Sequence, residues 1–171
     1  MMPRLHVCSL RLIPDTVRET GARSLLTLIN VGTPVERPAD IAGDRHLFIG
    51  VSDIVDPTDG HIHPAEEHVQ QVLDFAARWD RREPVIVHCY AGVSRSTAAA
   101  FIIACALAPE RPEAEIARAI RDASPTATPN RRLVAIADRM LGREGRMVAA
   151  VEAIGRGDDC FEGVPFALEL V

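Results

Sequence analysis

The stretch from Val85 to Ile103 constrains this chain most. Val85, Ile86 and Val87 follow the break at Glu83-Pro84 and read as a short buried strand. A tight loop containing one glycine, Gly92, comes next. Ala98-Ala99-Ala100-Phe101-Ile102-Ile103 then opens an apolar run free of proline until Pro109, the pattern of a buried helix. A strand, a tight loop and a helix in this order make an anion site. Loop amides and the first-turn N–H groups converge on one point, and the helix dipole adds partial positive charge there.

Two side chains make that site reactive. Cys89 stands where the strand ends, and Arg95 stands at the start of the helix. A thiol facing amides, a helix N-terminus and a guanidinium is expected to be held as the thiolate. The planar fork of Arg95 can take two oxygens of one phosphoryl group. A nucleophile, an oxygen cradle and a charge clamp are what phosphoryl transfer through a covalent cysteine intermediate requires.

His88-Cys89, five residues and Arg95-Ser96 resemble the signature of the cysteine-dependent protein tyrosine phosphatases, in a form nearest the small dual-specificity-like and bacterial members. The likeness extends well over 45–141, and the first forty residues match only in pattern. It implies roles residue by residue. Cys89 is the nucleophile and Arg95 the phosphate clamp. His88 orients the loop and supports the thiolate, although a satisfied strand-end histidine would look the same. Ser96 assists departure of the thiolate from the phosphoenzyme, although first-turn helix chemistry would also use a serine. Tyr90, Ala91, Gly92, Val93 and Ser94 contribute backbone amides, with Gly92 allowing a positive φ or a close approach.

The family also implies an aspartate upstream, on a loop after a strand, as proton donor to the leaving oxygen. Asp53 follows a strand directly and is the first choice, with Asp56 as the alternative. Asp59 is a third, and both Asp56-Pro57 and Asp59-Gly60 have ready turn explanations. His61, His63 and His68 near these aspartates raise a metal site, but their spacing matches no common ligand motif, so no metal or other cofactor is expected. Asn130, in Thr128-Pro129-Asn130, fits a helix N-cap and also the asparagine that braces the signature loop in relatives. Arg131 and Arg132 either add positive potential for an anionic substrate or are solvated helix charges.

Elsewhere the pattern alternates. Strands are expected at Leu5–Leu10, Ser24–Asn30 and Arg45–Val51, and helices at Pro14–Ala22 and from Pro64 to about Arg82, where Val69, Val72, Leu73, Ala76 and Trp79 make one apolar face. Val31–Asp44 reads as loop. Three further helices are expected at Pro112–Ala123, Asn130–Leu141 and Glu144–Ile154. Residues 158–171 read as a tail, of which Val164–Leu168 could dock. Together these imply one domain over 1–171, an α/β fold with a central, mostly parallel sheet of four to five strands flanked by helices, and a helical C-terminal half. The continuous apolar run Ser24–Asn30 fits a parallel strand covered on both faces.

The 171 residues suffice for one domain with a real core. Net charge is −5, with every basic side chain an arginine, which argues against nucleic acid or an anionic membrane as main partner. No apolar run approaches the ~20 residues of a membrane span, and Met1–His6 lacks a signal core, so a cytoplasmic protein is expected. Cys8, Cys89, Cys105 and Cys160 form no C-x-x-C pair and read as free thiols.

The expected partner is a phosphorylated substrate, protein or small molecule. The signature loop has no lysine, unlike phosphoinositide-directed relatives, which tilts the reading toward phosphotyrosine, or tyrosine and serine/threonine together. Phosphoinositides, inositol phosphates and other phosphorylated metabolites are the alternative. A non-catalytic phosphate-binding module would be favoured by loss of nucleophile, arginine or acid, and all three can be assigned here. A rhodanese-like sulfurtransferase would need neither the Arg-Ser ending nor an upstream acid.

Overall fold

The computed structural model describes residues 4–170. Met1–Pro3, part of the segment read as lacking a signal core, and Val171, the end of the expected tail, lie outside them. The elements run β1 (Arg4–Cys8), α1 (Ile13–Thr20), β2 (Ser24–Ile29), β3 (His46–Gly50), α2 (Glu66–Arg78), β4 (Val85–His88), α3 (Arg95–Leu107), α4 (Glu113–Ala123), α5 (Arg131–Met140), α6 (Arg146–Ile154) and β5 (Phe166–Glu169). One five-stranded sheet has the order β3-β2-β4-β1-β5. The pairings β1–β4, β2–β4 and β2–β3 are parallel, and β5 lies antiparallel on β1. No helix among the described residues is long and apolar enough to cross a membrane.

The strands read as unbroken apolar runs because both faces are covered. On one face Leu5, Val7, Leu26, Leu28, Val85 and Val87 pack into the large core with α2 to α6. On the other, Cys8, Leu25 and Ile86 meet Ile13 and Val17 of α1, together with Ile41. Helix α3 lies inside the large core, with every residue from Arg95 to Cys105 buried. Each large side chain there, such as Phe101 or Ile102, contributes about 1.5–3 kcal/mol by leaving water. That burial anchors the helix whose N-terminus faces the signature loop.

Element ends differ from expectation where local bonds intervene. β1 stops at Cys8 rather than Leu10 because the Leu10 N–H turns to the Tyr90 carbonyl (3.0 Å). α2 begins at Glu66, not Pro64. Ala65 is extended, and its N–H donates to His68 Nδ1 (3.0 Å), which makes His68 a capping residue. The same helix ends at Arg78 because Trp79 is extended and its indole N–H donates to the Glu83 carbonyl (2.9 Å). α6 begins at Arg146, since Glu144 and Gly145 have positive φ. The buried Asp138 carboxylate caps it, accepting from the N–H groups of Gly145, Met147 and Val148.

The expected tail is part of the body. Phe166–Glu169 completes the sheet edge. Before it, the Gly163 N–H donates to the Ala91 carbonyl (2.8 Å), Val164 N–H to Thr126 Oγ1 (2.9 Å) and Ser124 Oγ to the Val164 carbonyl (2.8 Å). Glu162 accepts from Ser9 Oγ and from Arg11. Gly163 fits here because it has no side chain. A Cβ would stand 2.6 Å from the Gly92 carbonyl oxygen and 3.0 Å from Val93 Cγ2. Gly163→Ala should therefore destabilise the fold by about 1–3 kcal/mol, read as a lower urea midpoint. An unchanged midpoint would mean the tail is not held against the loop.

Candidate active site

The site lies at the carboxyl ends of the parallel strands, where open α/β sheets place ligands. Ser9 follows β1, Asn30 follows β2, Val51 to Asp53 follow β3, and Cys89 to Ser94 link β4 to α3.

The loop is shaped by what holds its carbonyls. Cys89 O accepts from His88 Nδ1 (2.9 Å), Tyr90 O from Leu10 N–H, and Ala91 O from Gly163 N–H. Val93 O accepts from Thr128 N–H (2.9 Å) and Thr97 Oγ1 (2.7 Å), and Ser94 O from Asn130 N–H (3.1 Å). In a planar trans peptide, a carbonyl pulled outward sends the next N–H inward. The amides of Tyr90, Ala91, Gly92, Ser94 and Arg95 are thereby turned toward the concave side. Among the described residues none of these five donates to a protein acceptor. Gly92 permits the turn. Its φ is +74°, and a Cβ there would meet the Cys8–Ser9 backbone at 2.9 Å.

Cys89 is buried at the floor, with Sγ 3.1 Å from Ser96 Oγ. Arg95, also buried, is fixed through a single nitrogen. Its Nη1 donates to Asn30 Oδ1 (2.5 Å) and to the Val51 carbonyl (3.0 Å). Its Nε is buried and has no hydrogen-bond partner among the described residues. Such an orphaned charged donor is costly unless a ligand completes it, and an oxyanion in the cradle would do so.

Asp53 lies beside the loop. Its Oδ1 accepts from Ser94 Oγ (2.6 Å) and from Asn130 Nδ2 (2.9 Å), and Asn130 also donates to the Ile54 carbonyl. Asn130 caps α5 at the same time, its Oδ1 accepting from Leu133 N–H (3.0 Å). A cavity of about 440 Å³ is lined by Cys89, Arg95, Asp53, Asn30, Thr33 and Tyr90 among others. A second cleft of about 430 Å³ shares Asp53 and Ser94 with it and carries Asp56 and Arg131. Asp59, His61 and His63 are exposed and line neither space. Arg132 donates to the Pro64 carbonyl (2.5 Å) from α5, away from the cradle.

Cys89, Arg95, Ser96, His88 and Asp53 are thus brought together. Asn130 is the N-cap of α5, and it meets the signature loop through its backbone N–H at Ser94 O while its side-chain amide goes to Asp53 and Ile54. Sequence reasoning missed Asn30, the side-chain part of Ser94, and Thr27 with His46 below the loop. Asn30 carried a signal, being a polar residue at the carboxyl end of a parallel strand. Ser94 carried none, because its hydroxyl meets Asp53 only through tertiary folding.

The fold is that of known phosphatases. The chain is similar in structure to DUSP15 (17% identity, TM-score 0.64, covering 89% of this chain and 92% of that one). It is also similar to the Cydia pomonella PTP-2 phosphatase (17% identity, TM-score 0.62, 79% and 84%) and to human DUSP28 (17% identity, TM-score 0.61, 87% and 94%). No protein-family model and no curated protein matches the sequence.

Burial pushes the His88 imidazole down from its ordinary 6.5 to about 4, with His46 and Arg95 adding to the effect and the Cys89 carbonyl opposing it. Between these values the unfolded chain binds more protons than the folded one. The contribution is present above pH 6.5 and is lost as pH falls toward 4, up to about 3 kcal/mol. Urea unfolding from pH 7 to 4 should show this fall, and His88→Gln should make it shallower. Equal slopes would mean that the fold accommodates a charged imidazole.

Proposed function

We propose that this chain is a cysteine-dependent phosphatase that cleaves phosphate monoesters through a phosphocysteine intermediate, with phosphotyrosine, alone or with phosphoserine and phosphothreonine, as its substrate class. The observation that carries this reading is the unpartnered Nε of buried Arg95, on the same loop that turns five amides inward around Cys89. A dianionic phosphoryl group is the ligand that such a donor set fits.

The Cys89 thiolate attacks phosphorus while Arg95 and the amides hold the equatorial oxygens. The bond to the leaving oxygen breaks, and that oxygen takes a proton from Asp53. Ser94 and Asn130 hold Oδ1 of Asp53, which leaves Oδ2 to carry the proton. Water then attacks the phosphocysteine and gives its proton to Asp53. Inorganic phosphate leaves, and Ser96 donates to the departing thiolate. The residues between Cys89 and Arg95 include no base, and Tyr90 is exposed at the rim. Both favour an aromatic phosphoester on a protein over a polyphosphorylated headgroup. Four free cysteines suit a reducing cytoplasmic setting.

Turnover of p-nitrophenyl phosphate, then of phosphopeptides, phosphoinositides and inositol phosphates in parallel, tests the reading. Cys89→Ser should abolish turnover and retain phosphate binding, and residual activity would overturn the covalent route. If the unaltered chain binds phosphate but turns over none of these esters, it is a binding module.

Asp53→Asn should lower kcat more for phosphotyrosine than for p-nitrophenyl phosphate, whose leaving group departs readily without a proton. It should also flatten the basic limb of the pH–rate profile. Asp56→Asn and Asp59→Asn should leave that limb in place. The reverse result would move the acid to Asp56.

A further inference from the structure

Beneath the loop, a line of side chains crosses three adjacent strands. His88 Nε2 on β4 lies 2.7 Å from Thr27 Oγ1 on β2, and Thr27 Oγ1 lies 2.8 Å from His46 Nε2 on β3. Thr27 and His88 are register partners, and both are fully buried. Each proton in the line has one place to be. The Cys89 carbonyl can only accept, so His88 carries its proton on Nδ1. Nε2 of the neutral ring must then accept, and Thr27 supplies the hydroxyl proton. Thr27 Oγ1 in turn accepts from His46, whose proton is on Nε2. The direction is His46 to Thr27 to His88 to the Cys89 carbonyl.

We propose that Thr27 and His46 are positioning residues for the nucleophile, acting through His88 to fix the Cys89–Tyr90 peptide with its carbonyl outward and the Tyr90 N–H toward the sulfur. The inference rests on the proposed role of Cys89. Hydrogen bonds in such a line strengthen one another. A hydroxyl on Nε2 occupies the lone pair that would otherwise take a proton, and it makes Nδ1–H a better donor. Burial disfavours the charged form of both rings, and Arg95 near His88 and Arg37 near His46 add to it. Protonation of His46 would leave the direction unchanged, because its Nε2–H donates in either state.

Without the Thr27 hydroxyl, the peptide loses its fixed orientation, and an amide dipole that favours the thiolate is withdrawn. Alkylation by iodoacetamide reads this directly, whether or not the protein turns over substrate. Cys160 is exposed and would react. Cys89 is buried but lines the cavity, whereas Cys8 and Cys105 are packed within the hydrophobic core. The measurement is therefore made in a Cys160→Ser background.

Thr27→Val should raise the midpoint of the Cys89 alkylation profile by about one pH unit, a tenfold loss of thiolate at any pH well below both midpoints. Under the proposed function kcat/KM falls with it. Thr27→Ser keeps the hydroxyl and should restore both. An unmoved midpoint in Thr27→Val, or a shift that Thr27→Ser fails to reverse, would overturn the proposal. If Thr27→Val does not fold, His46→Phe and His46→Gln decide. Gln can donate from Nε2 and should keep the midpoint, whereas Phe should move it, and equal midpoints would sink the idea. If the midpoint moves as expected while Cys89→Ser leaves turnover intact, the positioning stands and the covalent mechanism falls.

Discussion

The structure depends on the outward anchoring of the carbonyls in one short loop. Amides arranged around a single point repel one another, and a free peptide would turn some of them away. Here the carbonyls of Cys89, Tyr90 and Ala91 are tied to the His88 ring, the turn after β1 and the tail, and those of Val93 and Ser94 to the segment before α5. The repulsion is offset before any ligand arrives. Because the anchors come from four parts of the chain, the whole fold acts as the frame of the cradle. This is electrostatic preorganisation in a concrete form.

Arg95 and Asp53 obey the same logic. Each is fixed through one atom, and the fixing atom is not the one the proposed chemistry would use. Nη1 of Arg95 is held by Asn30 and Val51, while Nε stays unpartnered. Oδ1 of Asp53 is held by Ser94 and Asn130. Asn130 serves three structural acceptors and donors at once, which couples the start of α5 to the acid-bearing loop.

Legibility in the sequence followed the range of the interaction. The run Val85–Ile103 was readable because strand, turn and helix signals are local, and so the proposed nucleophile, the proposed clamp and the parallel sheet could be inferred. Asp53 was readable as the first choice among three aspartates, because it directly follows a strand. What separates it from Asp56 is contact with Ser94 and Asn130, far along the chain. Docking of the tail at Val164–Leu168 was legible, but its strand was not, for the same reason. Phe166–Glu169 is too short and too mixed to signal a strand, and becomes one only against the edge of β1. Thr27 and His46 carried no signal, since a buried threonine in an apolar strand and a histidine at a strand start both look like packing.

The latch from Gly163 to Ala91 has a consequence for how this chain is made. Synthesis delivers Cys89 and Arg95 well before Gly163, and domains assemble as their parts emerge. The nascent polypeptide therefore passes through a stage in which the thiol is present but its socket is unfinished. The socket is completed last, when the final strand closes onto the first.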